Sequence, residues 1–353
     1  MIMKQLKQAV ERAMTDGLIR GAVVMFGTVR ETLIAEAFGL ADHETGRAMA
    51  LKSVFDMASV TKAVCVGTLL ARAVDAGKID LDSPYAGYIP GYRGKSRWTA
   101  TVRDLATHCS GLDPERPYDA AMLRGPAPLM DAMLDLTLAR PPREEYLYCC
   151  ANYILLGMIL EAVNGESLER QAEREIFAPL GMTRSSWGFP RPEVLADVVH
   201  PRLVTTHGRP PEAIVPPEIA ALDRSDDLPS DETARWALPR RIGNAGFFSC
   251  AEDLAKFARF MLKKPFGEAG CAAIYENHAP AGMHPRSAGW DMEPTGVFSP
   301  EAIHHTGWSG QSFWIDPKEA VFGMVLTNRC GDHALGKATR LAIMRTAREE
   351  IGR

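Results

Sequence analysis

The sequence lacks any hydrophobic run long enough to cross a bilayer, so nothing in it is typical of a transmembrane helix. Its first 18 residues place Leu6, Val10 and Met14 on one helical face among charged residues. That pattern indicates an amphipathic helix and lacks the continuous apolar segment of a secretory signal peptide. We therefore predict a cytoplasmic protein that does not act at a membrane.

Cysteine is scarce and scattered. The seven cysteines are odd in number and none is part of a Cys-x-x-Cys pair. Disulfide frameworks and structural zinc sites need regular cysteine spacing, so the sequence supports neither of them. We predict no metal site.

Neither sign of charge dominates the chain. Forty Lys and Arg residues stand against 44 Asp and Glu residues, which gives a net charge of −4, and no long Lys/Arg block occurs. Nucleic-acid grooves and membrane-surface patches need such basic blocks. We therefore expect a small-molecule substrate and no nucleic acid as partner, and the oligomeric state stays open.

What is present is a globular chain of 353 residues, 46% of them hydrophobic, which is enough for a large core. Strand-like runs cluster at its two ends, whereas helical periodicity dominates the middle. This distribution predicts an α/β fold of the α+β type. One antiparallel sheet would be built from both chain ends and flanked by the N- and C-terminal helices, with a mostly helical insertion. We expect one domain over 1–353, with an α/β part at about 1–60 and 240–353 and a helical part at about 61–240.

The predicted elements follow from periodicity and from turn residues. Strands are predicted at 21–28, 32–39, 289–290, 312–315 and 321–327. Helices are predicted at 59–76, 101–111, 126–139, 152–163, 167–177, 251–262 and from 333 onward. Residues 185–240 are rich in Pro, Arg, Asp and Glu with weak periodicity, so we expect long surface loops there.

Ser59 and Lys62 set a hydroxyl nucleophile and an amine base one helical turn apart. Residues three apart share a helix face, so Lys62 Nζ can reach Ser59 Oγ. Ser59 would lie in the first turn, where free N–H groups and the helix dipole favour the negative charge of an attacking serine. The alternative is a helix-capping serine followed by a solvated lysine.

Tyr148 lies just before an apolar helix and could exchange protons with Lys62. The ordinary pKa values of both groups are near 10, so a base at neutral pH needs its pKa lowered by about 3 units, which a neighbouring cation can provide. The alternative is an amphipathic core tyrosine. His108 has no acid partner marked by spacing, and we predict a structural, hydrogen-bonded role for it.

The third constellation is His305-Thr306-Gly307, which is followed by Trp308 and precedes a strand. Small residues here let a backbone approach a ligand closely, so we expect an edge strand that lines the site. The backbone N–H groups of Trp308 and Ser59 would then form an oxyanion hole. A Gly-rich turn with surface histidines is the alternative.

The order Ser-x-x-Lys, Tyr, His-Thr-Gly resembles the serine β-lactamase and penicillin-binding-protein-like family, and the similarity spans most of the chain. The most similar groups are class C β-lactamases, D-alanyl-D-alanine carboxypeptidases and family VIII carboxylesterases. The resemblance implies a β-lactamase/transpeptidase-like fold, acylation of Ser59, and proton transfers shared by Lys62 and Tyr148. The segment 305–307 would complete the active site beside these three residues.

Two departures from the family pattern bear on the substrate. His305 stands where many β-lactamases and peptidases of this family carry lysine, and histidine is a weaker, pH-dependent cation. Cys150 stands where the family's Tyr-x-Asn has an amide, and a thiol donates only weakly. Asn152 could compensate, although its offset from Tyr148 is wrong.

We therefore predict a serine hydrolase, and within that class a carboxylesterase on small acyl esters that needs no metal or organic cofactor. The alternatives within the family are a β-lactamase, a D-alanyl-D-alanine carboxypeptidase, a D-aminopeptidase or an acyltransferase. A non-catalytic binding protein on the same fold is a further alternative. An α/β-hydrolase is disfavoured because no Gly-x-Ser-x-Gly elbow occurs.

Overall fold

The computed structural model describes residues 3–94, 99–115, 118, 121, 124–199 and 228–352. Much of the segment predicted as surface loops, 200–227, lies outside the described residues. Around that gap the structure has a short strand at Ser186–Trp187, a 3-10 helix at Pro192–Asp197 and an α-helix at Glu232–Trp236.

A five-stranded antiparallel sheet is built from both chain ends, as predicted. The strands along the chain are β1 (Ile19–Thr28), β2 (Thr32–Gly39), β3 (Phe55–Asp56), β4 (Ser186–Trp187), β5 (Phe247–Ser249), β6 (Ile303–Gly307), β7 (Gln311–Asp316) and β8 (Val321–Arg329). The order in the large sheet is β2-β1-β8-β7-β6, so β6 is an edge strand. Every residue of β7 is buried, because both faces of the sheet are covered.

Helices cover both faces of the sheet. Among the described residues the α-helices are α1 (Lys4–Thr15), α2 (Thr68–Asp75), α3 (Val102–Ala106), α4 (Pro126–Leu134), α5 (Cys150–Asn164), α6 (Leu168–Ala172), α7 (Glu232–Trp236), α8 (Ala251–Met261), α9 (Glu268–Tyr275) and α10 (His333–Ile351). The terminal helices α1 and α10 pack on one face, and α8 contacts β1 and β8 on the other. The predicted flanking by terminal helices is confirmed.

A second sheet of three short strands, in the order β3-β5-β4, supports the segment before Ser59. Phe55 pairs with Ser249 and Asp56 with Phe248, and both residues of β3 are buried. Because β3 ends at Asp56, the nucleophile candidate lies three residues beyond a fixed strand.

The helix after Ser59 is π-helical over Lys62–Gly67 before it continues as α2. The segment Ala288–Gly289 packs directly on it. A Cβ at Gly67 would lie 2.5 Å from the Ala288 carbonyl oxygen, and a Cβ at Gly289 would lie 2.5 Å from that of Lys62. Gly289 also has a φ of +86°, which favours glycine and is not a strand conformation. The predicted strand at 289–290 is therefore wrong, since these residues pack against a helix.

Among the described residues, no helix is both long and apolar enough to cross a membrane. The cytoplasmic location stays a prediction. So does the division of the chain into an α/β part and a helical part within one domain.

Candidate active site

Ser59 is held in a strained, hydrogen-bonded turn. Ala58, directly before it, has a φ of 44°, a left-handed conformation that side chains other than glycine rarely adopt. The Ala58 N–H donates to Asp56 Oδ1 at 3.0 Å, and the Lys62 N–H donates to the Ser59 carbonyl at 3.0 Å. Burial raises the pKa of the Asp56 carboxyl, which also accepts the Ser230 N–H at 2.8 Å. The turn therefore orients Ser59 at the start of the helix.

Lys62 is fully buried, and its ammonium reaches the serine. Nζ donates to Ser59 Oγ at 3.0 Å and to the Asn244 carbonyl oxygen at 2.7 Å, and it lies 5.2 Å from the centre of the Tyr148 ring. The structure thus brings together the predicted nucleophile, lysine and tyrosine. Sequence reasoning missed Asn244, because it acts through a backbone carbonyl that any residue would provide.

The charge of Lys62 differs from the prediction. Burial lowers the pKa of Lys62, but attraction to Cys150 and Tyr148 and hydrogen bonding with Tyr148 outweigh it and raise that pKa above its ordinary value. The expectation that a neighbouring cation lowers the pKa of Lys62 is wrong. The raised pKa favours the ammonium form of Lys62 as the donor to Ser59 Oγ.

Tyr148 is 38% exposed, so the alternative of a core tyrosine does not fit the structure. Lys62 Nζ lies over its ring at 5.2 Å and the Arg286 guanidinium carbon at 5.7 Å from the ring centre. The His108 ring packs against it with centroids 4.4 Å apart. Two cations and one aromatic ring therefore surround a phenol that keeps access to solvent.

Arg286 is a buried cation in the site that sequence reasoning missed. Its Nη1 lies 3.3 Å from Asp291 Oδ2, and its Nη2 lies 3.3 Å from His305 Nε2. No sequence signal marked it, because a single arginine in an irregular segment is usually solvent-exposed.

His305 is buried, and the arrangement assigns it as a neutral imidazole. Burial, followed by repulsion from Arg286 and Lys62, holds the pKa of His305 well below its ordinary value. Nδ1 lies 2.9 Å from the Thr306 carbonyl oxygen, so it carries the proton, and Nε2 accepts from Arg286. His305 therefore brings no permanent charge to the site.

The turn after β6 lies against the nucleophile segment. A Cβ at Gly307 would lie 2.7 Å from the Met57 carbonyl oxygen, and Ser309 Oγ donates to the Asp56 carbonyl oxygen at 2.9 Å. Trp308 lies between these two contacts. This placement brings its backbone close to the Ser59 turn, as an oxyanion hole requires. The oxyanion role of Trp308 stays a prediction.

Thr306 lies on the edge strand and pairs with Ser312 of β7. Thr306 is partly exposed, whereas the other four residues of β6 are buried. The strand that we expected to line the site is therefore an edge strand in the structure, and the substrate-binding role of Thr306 stays a prediction.

Cys150 begins helix α5, is partly exposed, and interacts electrostatically with Lys62. Asn152 does not replace the missing amide. It is buried, its Oδ1 accepts from Ser110 Oγ at 2.6 Å, and its Nδ2 donates to His108 Nδ1 at 3.0 Å. His108 also accepts the Cys149 N–H at 3.2 Å, so its predicted structural role is confirmed.

In the parts of the chain that the structure describes, no group of three or more His, Cys, Asp or Glu side chains could hold a metal ion. The arrangement instead combines a hydroxyl, an ammonium, a phenol and a neutral imidazole. A hydroxyl next to groups that can transfer protons is what acyl transfer through a serine requires.

Comparisons with known proteins agree with this fold. The family model described as Beta-lactamase matches residues 6–348. A Salmonella gallinarum protein named "Putative D-alanyl-D-alanine carboxypeptidase" is 27% identical over 310 residues, which cover 78% of this chain and 69% of that protein. A penicillin-binding protein homolog from Caulobacter crescentus superimposes with a TM-score of 0.77 at 21% identity, over 98% of this chain and 96% of the other. A family VIII carboxylesterase superimposes with a TM-score of 0.74 at 17% identity, over 98% and 97%.

Proposed function

Since this chain belongs to the Beta-lactamase family and is a serine hydrolase of that fold, we propose that it is a carboxylesterase. It would cleave small acyl esters through an acyl-enzyme on Ser59. The observation that carries the proposal is the 3.0 Å hydrogen bond from Lys62 Nζ to Ser59 Oγ, with the Tyr148 ring 5.2 Å from the same ammonium. This geometry fits a nucleophile with its proton-transfer partners.

The reaction follows from the charges of these groups. A protonated Lys62 cannot accept the serine proton, so we assign the base role to Tyr148 as a phenolate. Ser59 Oγ attacks the ester carbonyl carbon while its proton moves to the Tyr148 oxygen. The tetrahedral intermediate then collapses, the bond to the alcohol oxygen breaks, and Tyr148 returns the proton to the leaving alcohol.

Deacylation repeats these steps with water as the nucleophile. Water loses a proton to Tyr148 and attacks the acyl carbon, and Ser59 Oγ leaves and recovers the proton. The Lys62 ammonium stays protonated throughout and stabilises negative charge on Ser59 and Tyr148 in turn. No cofactor takes part in this scheme.

Two features of the site favour simple esters. His305 is a neutral imidazole, so the third motif itself offers no permanent charge to a substrate carboxylate. Cys150 offers a thiol, which is a poor donor to the side-chain carbonyl of a peptide or β-lactam. An ester with a plain acyl chain has neither a carboxylate that needs a cation nor a side-chain carbonyl that needs a donor.

One observation favours a second candidate, a D-alanyl-D-alanine carboxypeptidase. Arg286 supplies a buried cation beside His305, and a cation there would attract a substrate carboxylate. The name of the Salmonella gallinarum relative points to the same activity. Asp291 is close to the guanidinium and offsets part of its charge, so we rank this function second.

A substrate panel tests the ranking. We expect wild type to hydrolyse short p-nitrophenyl esters far better than nitrocefin or a D-alanyl-D-alanine peptide. Cys150→Asn should raise kcat/KM for nitrocefin about tenfold, equivalent to about 1.4 kcal/mol, because it restores one hydrogen bond. In the same variant, kcat/KM for the esters should change much less. Equal changes for both substrates would mean that Cys150 only fills space, and a preference for the peptide would favour the second candidate.

Labelling separates an enzyme from a binding protein on the same fold. A fluorophosphonate probe should modify Ser59, as located by mass spectrometry, and Ser59→Ala should lose both labelling and ester turnover while it keeps the melting temperature. Ser83→Ala is the control, since the Ser83 hydroxyl donates to Asp80 on the surface. Full activity of Ser59→Ala would refute the acyl-enzyme.

A further inference from the structure

Two arginines are buried behind the turn that carries Trp308. Arg329 ends strand β8 and is 5% exposed, and Arg340 lies on helix α10 and is 0% exposed. Arginine is rarely buried unless it is paired, because removing a charge from water is costly. A buried pair of like charge therefore needs an explanation.

Part of the hydrogen-bonding capacity of these guanidinium groups is used. Arg329 Nε donates to the Trp308 carbonyl oxygen at 2.7 Å, and its Nη1 donates to that of Gly331 at 2.9 Å. Arg340 Nε donates to Ser312 Oγ at 2.8 Å. Three buried nitrogens, Nη2 of Arg329 and both Nη of Arg340, have no hydrogen-bond partner among the described residues.

The surrounding charges do not neutralise the pair. Burial, followed by repulsion from Arg329, lowers the pKa of Arg340 to about 10, and no carboxylate of the described residues is among the causes of that shift. His333 is repelled by both arginines. Asp332 attracts Arg329, but its carboxylate accepts the Leu335 N–H at 2.9 Å at the start of α10. The cluster therefore carries excess positive charge.

The two arginines meet beside Gly336. A Cβ at Gly336 would lie 3.3 Å from Arg340 Nη1 and 3.4 Å from Arg329 Cδ. Both side chains thus pass the same point of helix α10. The unpartnered donors belong to neighbouring groups, as a shared ligand requires.

We propose that Arg329 and Arg340 form a binding site for a small inorganic anion of halide size. Chloride suits the site because the donors are buried N–H groups that have no partner among the described residues. The anion would satisfy the three nitrogens and reduce the repulsion between the two cations. Because Arg329 also holds the Trp308 carbonyl and lies 4.2 Å from the centre of its ring, the anion would stabilise the turn beside Ser59.

Thermal unfolding in chloride tests the site. The full chain is titrated with 0 to about 300 mM sodium chloride, and sodium gluconate, whose anion is too large, keeps the ionic strength constant. We expect a saturable rise of the wild-type Tm of about 2 °C, because a ligand that binds only the folded state stabilises it. A chloride response no larger than the gluconate baseline would overturn the proposal.

Two variants on α10 identify the site. Arg340→Met removes the buried charge and should lose the chloride-dependent rise, whereas Arg345→Met, at an exposed position of the same helix, should keep it. If Arg340→Met keeps the chloride-dependent rise in Tm, chloride acts at another site and the proposal is overturned.

A second measurement does not depend on a variant that folds. Wild-type crystals soaked in bromide should show an anomalous peak between the two guanidinium groups. Occupancy that persists as bromide is lowered to about 20 mM supports the site. A peak seen only at molar bromide means an adventitious ion only, and it would overturn the proposal, as would no peak at that position.

Discussion

Replacing Arg286 by methionine tests whether a second buried cation prepares Tyr148 for proton transfer. Lys62 and Arg286 lie over the Tyr148 ring, at 5.2 and 5.7 Å from its centre. Methionine keeps an unbranched side chain of similar reach and removes the charge. A phenolate at Tyr148 would then be stabilised by one cation instead of two.

The size of the effect follows from the distance. The guanidinium carbon of Arg286 lies 5.7 Å from the centre of the Tyr148 ring, and two unit charges about 6 Å apart attract by about 3 kcal/mol at an effective dielectric constant of about 20. Tyr148 is 38% exposed and Asp291 offsets part of the charge of Arg286, so we take about half of that energy. About 1.4 kcal/mol corresponds to a tenfold change in kcat/KM.

The assay is kcat/KM for a short p-nitrophenyl ester at one fixed pH, with Tm measured for each variant. Arg286→Met should lower kcat/KM about tenfold, because negative charge on Tyr148 in the proposed reaction loses one of its two neighbouring cations. Arg286→Lys, which keeps a cation, should keep kcat/KM close to that of wild type.

Two outcomes would refute the reasoning. An unchanged kcat/KM in Arg286→Met would mean that Arg286 does not act on the base. An equal loss of activity in Arg286→Met and Arg286→Lys, with a lower Tm in both variants, would mean that Arg286 only holds Asp291 and His305 in place.

The remaining predictions concern the proton-transfer pair, acid stability and the helix contact. Lys62→Ala and Tyr148→Phe should each lower kcat for esters at least about 100-fold, and near wild-type turnover in either would remove that residue from the mechanism. The pKa values of His108 and His305 are held well below the ordinary value. The unfolded state therefore binds more protons once the pH falls below about 6.5, so stability present at pH 7 should be lost toward pH 5. A Tm that is constant from pH 7 to 5 would contradict this, and His305→Gln should show a smaller decrease than wild type. Gly289→Ala should lower the Tm by several degrees, because Gly289 has a φ of +86° and its added Cβ would lie 2.5 Å from the Lys62 carbonyl oxygen.

Features that depend on local spacing could be predicted from the sequence. Strand-like runs at the two ends correctly gave the antiparallel sheet, because alternation and turn residues act over a few positions. The Ser59–Lys62 contact was predictable for the same reason, since three residues make about one turn of a helix. The buried state of Asn152 was not predictable, because its partners Ser110 and His108 are distant in sequence.

The strand wrongly predicted at 289–290 shows how tertiary packing overrides a local preference for extended structure. A glycine next to a tryptophan resembles the end of a strand in sequence. In the structure Gly289 is left-handed, and it lets the chain lie on the helix that carries Lys62. Gly289 is required because the backbone of Lys62 passes close to it. Lys62 lies more than 200 residues away in sequence, so no local pattern contains that requirement.

The protonation state of Lys62 is the part of the mechanism that spacing could least determine. A serine and a lysine one turn apart suggest a neutral amine as base, because the motif contains no other titratable group. The fold then adds Tyr148 and Cys150 beside the ammonium, and their attraction outweighs the cost of its burial. Once Lys62 keeps its proton, the serine proton needs another acceptor, and Tyr148 is the exposed group in contact with that ammonium. We therefore propose the base role for Tyr148, which the sequence already paired with Lys62 as a proton-transfer partner and which the fold brings to this ammonium.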